Sequence, residues 1–311
     1  MPTIKKNVEF HGVGIHSGAP VNMVVKPSEN RGIFFRRVDL ESDLIPATFD
    51  NVGDTKMRNT TIGNIAGAHV KTIEHFMAAL FMAGVDSAIV EIDGPETPIL
   101  DGSAIEFYKS VVDAGVSAGK FKRIVVRRPV CVSGRDVLRT LPIWTRIKIW
   151  FMNLISGRRS DGFVKIAPAS NDALNISATL VYREKIIGRQ SFSYKYDRTK
   201  KSVQDFVENI ARARTFGKYS EWEYLKKHGM AHGANETNVI ALNDTGDATL
   251  NQVFWPDEFV RHKIIDAVGD MFTSGGFIIG NLESYKGSHA MNNMLLKKLF
   301  SNSDNYDIID A

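Results

Sequence analysis

Residues 71–84, KTIEHFMAALFMAG, read as a helix closed by Gly84. Ile73, Phe76, Met77, Ala78, Ala79, Leu80, Phe81 and Met82 make it apolar all round. Such a helix has no face to offer to water and must be buried. Glu74 and His75 are then buried as well. They need partners, because an unpaired buried charge costs several kcal/mol or neutralises. Two readings stay open at this point: a structural Glu–Arg or Glu–His pair, or a metal ligand beside a general base. Adjacent helix positions point about 100° apart, so one of the two would bind an ion while the other reaches its water.

A second helix, EFVRHKIIDAVGD over residues 258–270, carries His262, Asp266 and Asp270 at four-residue spacing. These fall within an arc of roughly 80°, opposite Ile264, Ile265, Val268, Met271 and Phe272. A solvated face is normally dressed with Lys, Glu and Arg, yet here the stripe is flanked by Phe259 and Gly269. That favours a polar but enclosed face. His and Asp at i and i+4 lean the same way and can share one ion. In YKGSHAMNN, His289 stands beside Gly287 and Ser288, as the first residues of a helix would. Other sites fare worse. His228 and His232 are flanked by Gly229 and Gly233, which argues for a loop or helix terminus, and no P-loop, dinucleotide fingerprint or nucleophile elbow occurs.

The rest of the chain alternates short strands with helices. VNMVVK, IFFRRV, SAIVEID, RIVVRRPVCV, FVKIAP, LNISATLVY and GFIIGNL read as strands. SAIEFYKSVVDAG and KSVQDFVENIARAR read as helices, and a last helix begins near Ser288. Two α+β domains, 1–119 and 120–311, follow from the change of style after Gly119.

Composition narrows the function. The 311 residues are 43% hydrophobic and 24% charged, with net charge +4. No long Lys or Arg run is present, so nucleic-acid binding is not expected. The lone Cys131 rules out an internal disulfide and a Cys-based zinc cluster. The first residues lack an apolar signal-peptide core, so a cytoplasmic chain is expected. One segment departs from the pattern. Residues 138–159, LRTLPIWTRIKIWFMNLISGRR, hold two tryptophans and basic residues without an acid, on an apolar core too short to span a bilayer. From Pro142 onward it has the makings of a basic, Trp-bearing amphipathic helix, suited either to an anionic membrane surface or to packing on the second domain.

GVGIHSG, TIEHFMAAL, PETPILDGSA, ARARTFG, EFVRHKIIDAVGD and YKGSHAMNN occur together, in this order, over nearly the whole chain. In these stretches the chain resembles the UDP-3-O-acyl-N-acetylglucosamine deacetylases, zinc amidohydrolases that commit a nucleotide sugar to lipid A synthesis. The resemblance implies one zinc per chain on His75, His262 and Asp266, with Glu74 as general base. It implies His289, oriented by Asp270, as the cationic partner of the reacting amide, and Thr215 as hydroxyl donor to the oxyanion. Lys263 and Phe216 are implied as contacts to a UDP-linked acylated amino sugar. The implied fold is two similar domains, each a sheet with a helix layer, packed with their helices inward, in a monomer. Three stretches depart from the family's pattern: ATLVYREKIIGRQ, HGMAHGANETNVIALND and the insertion 138–159. A deacetylase of another nucleotide-activated amino sugar and a non-catalytic binder of acylated nucleotide sugars are therefore the alternatives.

Overall fold

The computed structural model describes residues 1–53, 59–146 and 161–310. Alternation builds the first sheet. In Pro20–Lys26, Val21, Met23 and Val25 point inward between outward Asn22 and Val24, as a strand with one buried face requires. The sheet comprises β1 (Val8–Val13), β2 (Pro20–Lys26), β3 (Gly32–Arg37) and β4 (Ile45–Pro46). A ribbon of β5 (Ile62–Gly63) and β6 (His69–Val70) follows, and then β7 (Ser87–Ile92) enters the sheet in the order β1-β2-β7-β3-β4. Only β3 and β7 run parallel, and the crossover between them carries helix α1 (Glu74–Ala83). Gly84 ends α1 in the left-handed conformation, at φ 74°. Helix α2 (Ile105–Asp113) completes this half.

The second sheet centres on the longest strand of the fold. Its members are β8 (Lys122–Val126), β9 (Val130–Ser133), β10 (Phe163–Ala167), β11 (Leu174–Val181) and β12 (Arg189–Tyr196). Helix α3 (Gly134–Arg139) follows β9, and α4 (Lys200–Asn209) follows β12. Next come β13 (Thr215–Lys218), α5 (Tyr219–Lys227) and β14 (Val239–Leu242), the two strands forming a separate parallel ribbon. The long helix α6 (Glu258–Phe272) leads into β15 (Phe277–Tyr285), followed by α7 (His289–Phe300) and β16 (Tyr306–Asp310). β15 pairs with β11 on one edge and with β8 and β10 on the other. Among the described residues, no helix is long and apolar enough to cross a membrane.

Helix α1 packs on α6, so the two α+β halves meet through their helices. This explains why α1 lacks a polar face. Phe76 serves the first half, with its ring centroid 6.0 Å from Phe35 and 5.5 Å from Phe107. Phe81 serves the second, 5.4 Å from Phe272 and 4.7 Å from Phe277. Each such side chain contributes about 1.5–3 kcal/mol by leaving water. The helices touch backbone to backbone at Gly269: a Cβ there would lie 1.9 Å from the carbonyl oxygen of Glu74. Glycine beside the polar stripe is thus demanded by the helix crossing.

The observed elements differ from expectation in several places. RIVVRRPVCV is two strands, broken before Pro129, which has no N–H for a ladder. The helix expected through Arg214 stops at Asn209, where Ile210 leaves helical geometry. β12, with its outer face polar and exposed, β16 and α5 carried too little apolar pattern to be read. His228 caps the end of α5 and His232 lies in a loop, as the neighbouring glycines suggested. Of the unusual segment, residues 143–146 form a helical turn in which Arg146 N–H donates to Pro142 O, and residues 147–160 lie outside the described residues.

Candidate metal centre and its cavity

α1 and α6 bring their polar residues to one point. His75, His262 and Asp266 are all buried, and their ligating atoms lie within 4.8 Å of one another. Asp266 Oδ1 is 3.6 Å from His75 Nε2 and 3.4 Å from His262 Nε2. Ligands each about 2.0–2.1 Å from a tetrahedral ion sit roughly 3.4 Å apart, so the donor set fits a metal ion. The surroundings reinforce the fit. His262 Nδ1–H donates to Ala213 O at 3.1 Å, which leaves Nε2 with its lone pair toward Asp266. Lys263 Nζ donates to Asp266 Oδ2 at 2.7 Å, leaving Oδ1 toward the imidazoles. Burial drives the His262 imidazole down to about 3, so the ring is neutral, the form that ligates. Burial alone would raise the Asp266 carboxyl, but Lys263 and His262 outweigh it and hold it well below the usual range.

Two further groups flank the triad. Glu74 is buried beside His75, and its Oε2 accepts Thr60 N–H at 2.9 Å. Burial pushes this carboxyl up, while His289 and His75 pull against it. His289, at the first turn of α7, places Nδ1 2.8 Å from Asp270 Oδ2 and Nε2 3.9 Å from Asp266 Oδ2. Burial alone would lower the His289 imidazole, yet Asp270, with Glu74 and Asp266, raises it to about 10. It therefore carries a positive charge at neutral pH.

Glu74, His75, Thr215, Phe216, His262, Lys263, Asp266 and His289 all line one cavity of about 490 Å³. Thr215, at the start of β13, is fixed by its N–H to Gly102 O at 3.2 Å. Lys263 Nζ lies 5.8 Å from the centre of the Phe216 ring. Beyond these groups the lining is mainly apolar, with Ile15, Ile99, Trp222, Leu225, Met230 and Val239 beside Glu221 and Tyr224. Of the residues to which the resemblance assigns a role, Asp270 alone is outside the lining, and it touches the cavity through His289.

The structure adds residues that sequence reasoning missed. Asn292 donates Nδ2–H to Asp270 Oδ2 at 2.7 Å. Buried Glu96 accepts from the backbone N–H groups of His16 and Ser17 and, at 2.8 Å, from Thr72 Oγ1. It thereby ties GVGIHSG to the turn that launches α1. Buried Glu258 accepts Arg214 N–H and Nε–H, which fixes the start of α6 beside Thr215. A buried acid within a quoted motif was the available signal for Glu96 and Glu258. Thr60 offered none.

The comparisons follow the same outline. The model of the UDP-3-O-acyl N-acetylglycosamine deacetylase family matches residues 1–301. A UDP-3-O-acyl-N-acetylglucosamine deacetylase of Nitratiruptor sp. is 36% identical over 310 residues, covering 99% of this chain and 93% of the relative. Proteins of the same name from Neisseria meningitidis serogroup A and Geotalea uraniireducens are 35% and 34% identical over 312 residues, covering 99% of this chain and 92% and 91% of the relatives. With the family model matching nearly the whole chain and relatives of over 30% identity aligned along almost all of it, the chain belongs to the UDP-3-O-acyl N-acetylglycosamine deacetylase family.

Proposed function

We propose that the protein hydrolyses the N-acetyl amide of UDP-3-O-acyl-N-acetylglucosamine to acetate and the free amine, with one zinc ion held by His75, His262 and Asp266. The observation that carries this reading is the convergence of a buried acid, a His-His-Asp triad and a cationic histidine on one cavity that continues into an apolar wall. A zinc ion there would supply Lewis acidity to the acetyl carbonyl and to the attacking water. Glu74, its carboxyl raised by burial, accepts the proton of that water as the new C–O bond forms. The Thr215 hydroxyl and cationic His289 donate to the carbonyl oxygen as charge gathers on it. The C–N bond then breaks, and protonated His289 stands ready as a proton source for the leaving amine. Lys263 and Phe216 contact the sugar nucleotide. The walls at Trp222, Leu225 and Met230 suit the acyl chain. We also propose a domain boundary near Gly119, supported by α2 ending at Asp113 and β8 starting at Lys122.

The test is acetate release from the acylated UDP-sugar, with bound metal counted in parallel. A folded, zinc-loaded chain that releases none would end this reading. The pH–rate profile tests the acid pair. Asp270→Asn removes the main influence that holds His289 up, so burial pulls its pKa down. The protonated form is then lost at lower pH, and the alkaline limb of kcat/KM is expected to move to lower pH. An unchanged profile in both Asp270→Asn and His289→Gln would make the pair structural.

We further propose that the exposed turn at residues 143–146 docks on an anionic membrane surface. Ile143 and Trp144 are 56% and 79% exposed, among the exposed cations Arg135, Arg139 and Arg146. That combination matches the polar–apolar boundary of a negatively charged leaflet. The chain is expected to co-sediment with phosphatidylglycerol vesicles, less at high salt, and Trp144→Ala/Arg146→Glu should weaken binding several-fold. Equal binding by the double variant, or none by the parent, rules the contact out.

A further inference from the structure

Thr60 occupies an unusual position in the centre. It is 3% exposed and belongs to the first half of the chain, yet it touches groups from both halves. Its backbone N–H donates to Glu74 Oε2 at 2.9 Å. Its hydroxyl donates to Asp270 Oδ1 at 2.5 Å, and the same oxygen lies 3.3 Å from His289 Nδ1. The other Asp270 oxygen receives His289 Nδ1–H and Asn292 Nδ2–H, at 2.8 and 2.7 Å. Both carboxylate oxygens are thus occupied, and the carboxylate cannot turn without breaking a bond on each side. The segment bearing Thr60 is itself fastened. Asn59 Nδ2 donates to Thr72 Oγ1 at 3.1 Å. Thr72 stands two residues before Glu74 with φ 60°, a backbone state rare for a β-branched residue. Thr97 Oγ1 and Glu96 hold it there.

We infer that Thr60 is a positioning residue of the hydrolysis: its N–H aims Glu74 and its hydroxyl aims the Asp270–His289 pair, which keeps the proton acceptor and the cationic donor in register across the helix interface. The inference rests on the function proposed above, and it assigns Thr60 no contact with substrate. The hydroxyl arm is open to mutation, since Thr60→Val keeps the shape and the N–H, while Thr60→Ser keeps the hydroxyl.

The experiment measures kcat, KM and metal per chain for the parent and these variants, on folded protein. Displacement of a catalytic group by fractions of an ångström is costly, so Thr60→Val should lower kcat about 10–100-fold. KM should stay within about twofold and metal content should not change, because neither substrate nor ion is touched. Thr60→Ser should recover activity to within about threefold of the parent. In an Asp270→Asn background, Thr60→Val should cost little more, because the two groups act as a unit. A merely structural hydroxyl would lower thermal stability and leave kcat alone. A kcat for Thr60→Val within about twofold of the parent, or a full further loss in the Asp270→Asn background, overturns the inference. If Thr60→Val does not fold, Thr60→Ala takes its place in both comparisons. Failure of the parent to release acetate is a separate result, and it defeats the proposed function rather than the role of Thr60.

Discussion

His262→Ala is expected to lose its metal and its activity together. Of the three residues proposed to hold the ion, two, His262 and Asp266, come from a single helical turn. With one imidazole gone, an ion would keep a two-point hold in a buried space and bind far more weakly. The loss of Lewis acidity amounts to several kcal/mol, hence a rate lower by at least about 10³-fold. Metal analysis and acetate release on the same sample check the result. His262 is buried and bonded to Ala213 O, so alanine also leaves a small cavity, and both readings must be normalised to the folded fraction. Full zinc occupancy in a His75→Ala/His262→Ala/Asp266→Ala variant would refute the ligand assignment.

Glu74 should give the opposite pattern: metal retained, rate lost. Glu74→Ala removes the proposed base while the ligand triad stays complete, so the rate should fall roughly 10²–10⁴-fold. Alanine also orphans the Thr60 N–H, at a cost of about 1–3 kcal/mol in stability. Glu74→Gln separates the two effects, because its amide oxygen can still accept that N–H but cannot take a proton. The glutamine variant should therefore melt close to the parent, bind zinc and substrate, and turn over as slowly as alanine. Near-normal turnover at saturating substrate would remove Glu74 from the mechanism.

The parts of this centre legible in the sequence are those whose residue types conflict with their surroundings. Glu74 and His75 stood out because the rest of their helix is apolar, and the stripe on α6 stood out because Gly269 and Phe259 flank it. Both signals are local, carried within one helix by its 3.6-residue period. Thr60 and Asn292 were invisible for the converse reason. Threonine and asparagine have no chemical signature, and the bonds of Thr60 to Asp270 and His289 span 210 and 229 positions of chain. The same holds for the fold. β2 and β3 were read from the short strand-like runs VNMVVK and IFFRRV, whereas β12 turns a polar face outward and shows no such run. The end of α4 was misplaced as well: beyond Asn209 the chain leaves the helix, and Ala213 there meets His262, a partner 49 positions away that the local pattern does not show.

One consequence follows from the backbone contact of α1 and α6 at Gly269. His75 belongs to the first of these helices, and His262 and Asp266 to the second. An ion gripped by all three would be a further cross-link between two halves already packed together through these helices. By linkage, its binding free energy is also free energy of holding the halves together, and neither half alone has the ligands to claim it. The metal would then act as a clasp as much as a reagent, closed only when both halves have folded and found each other.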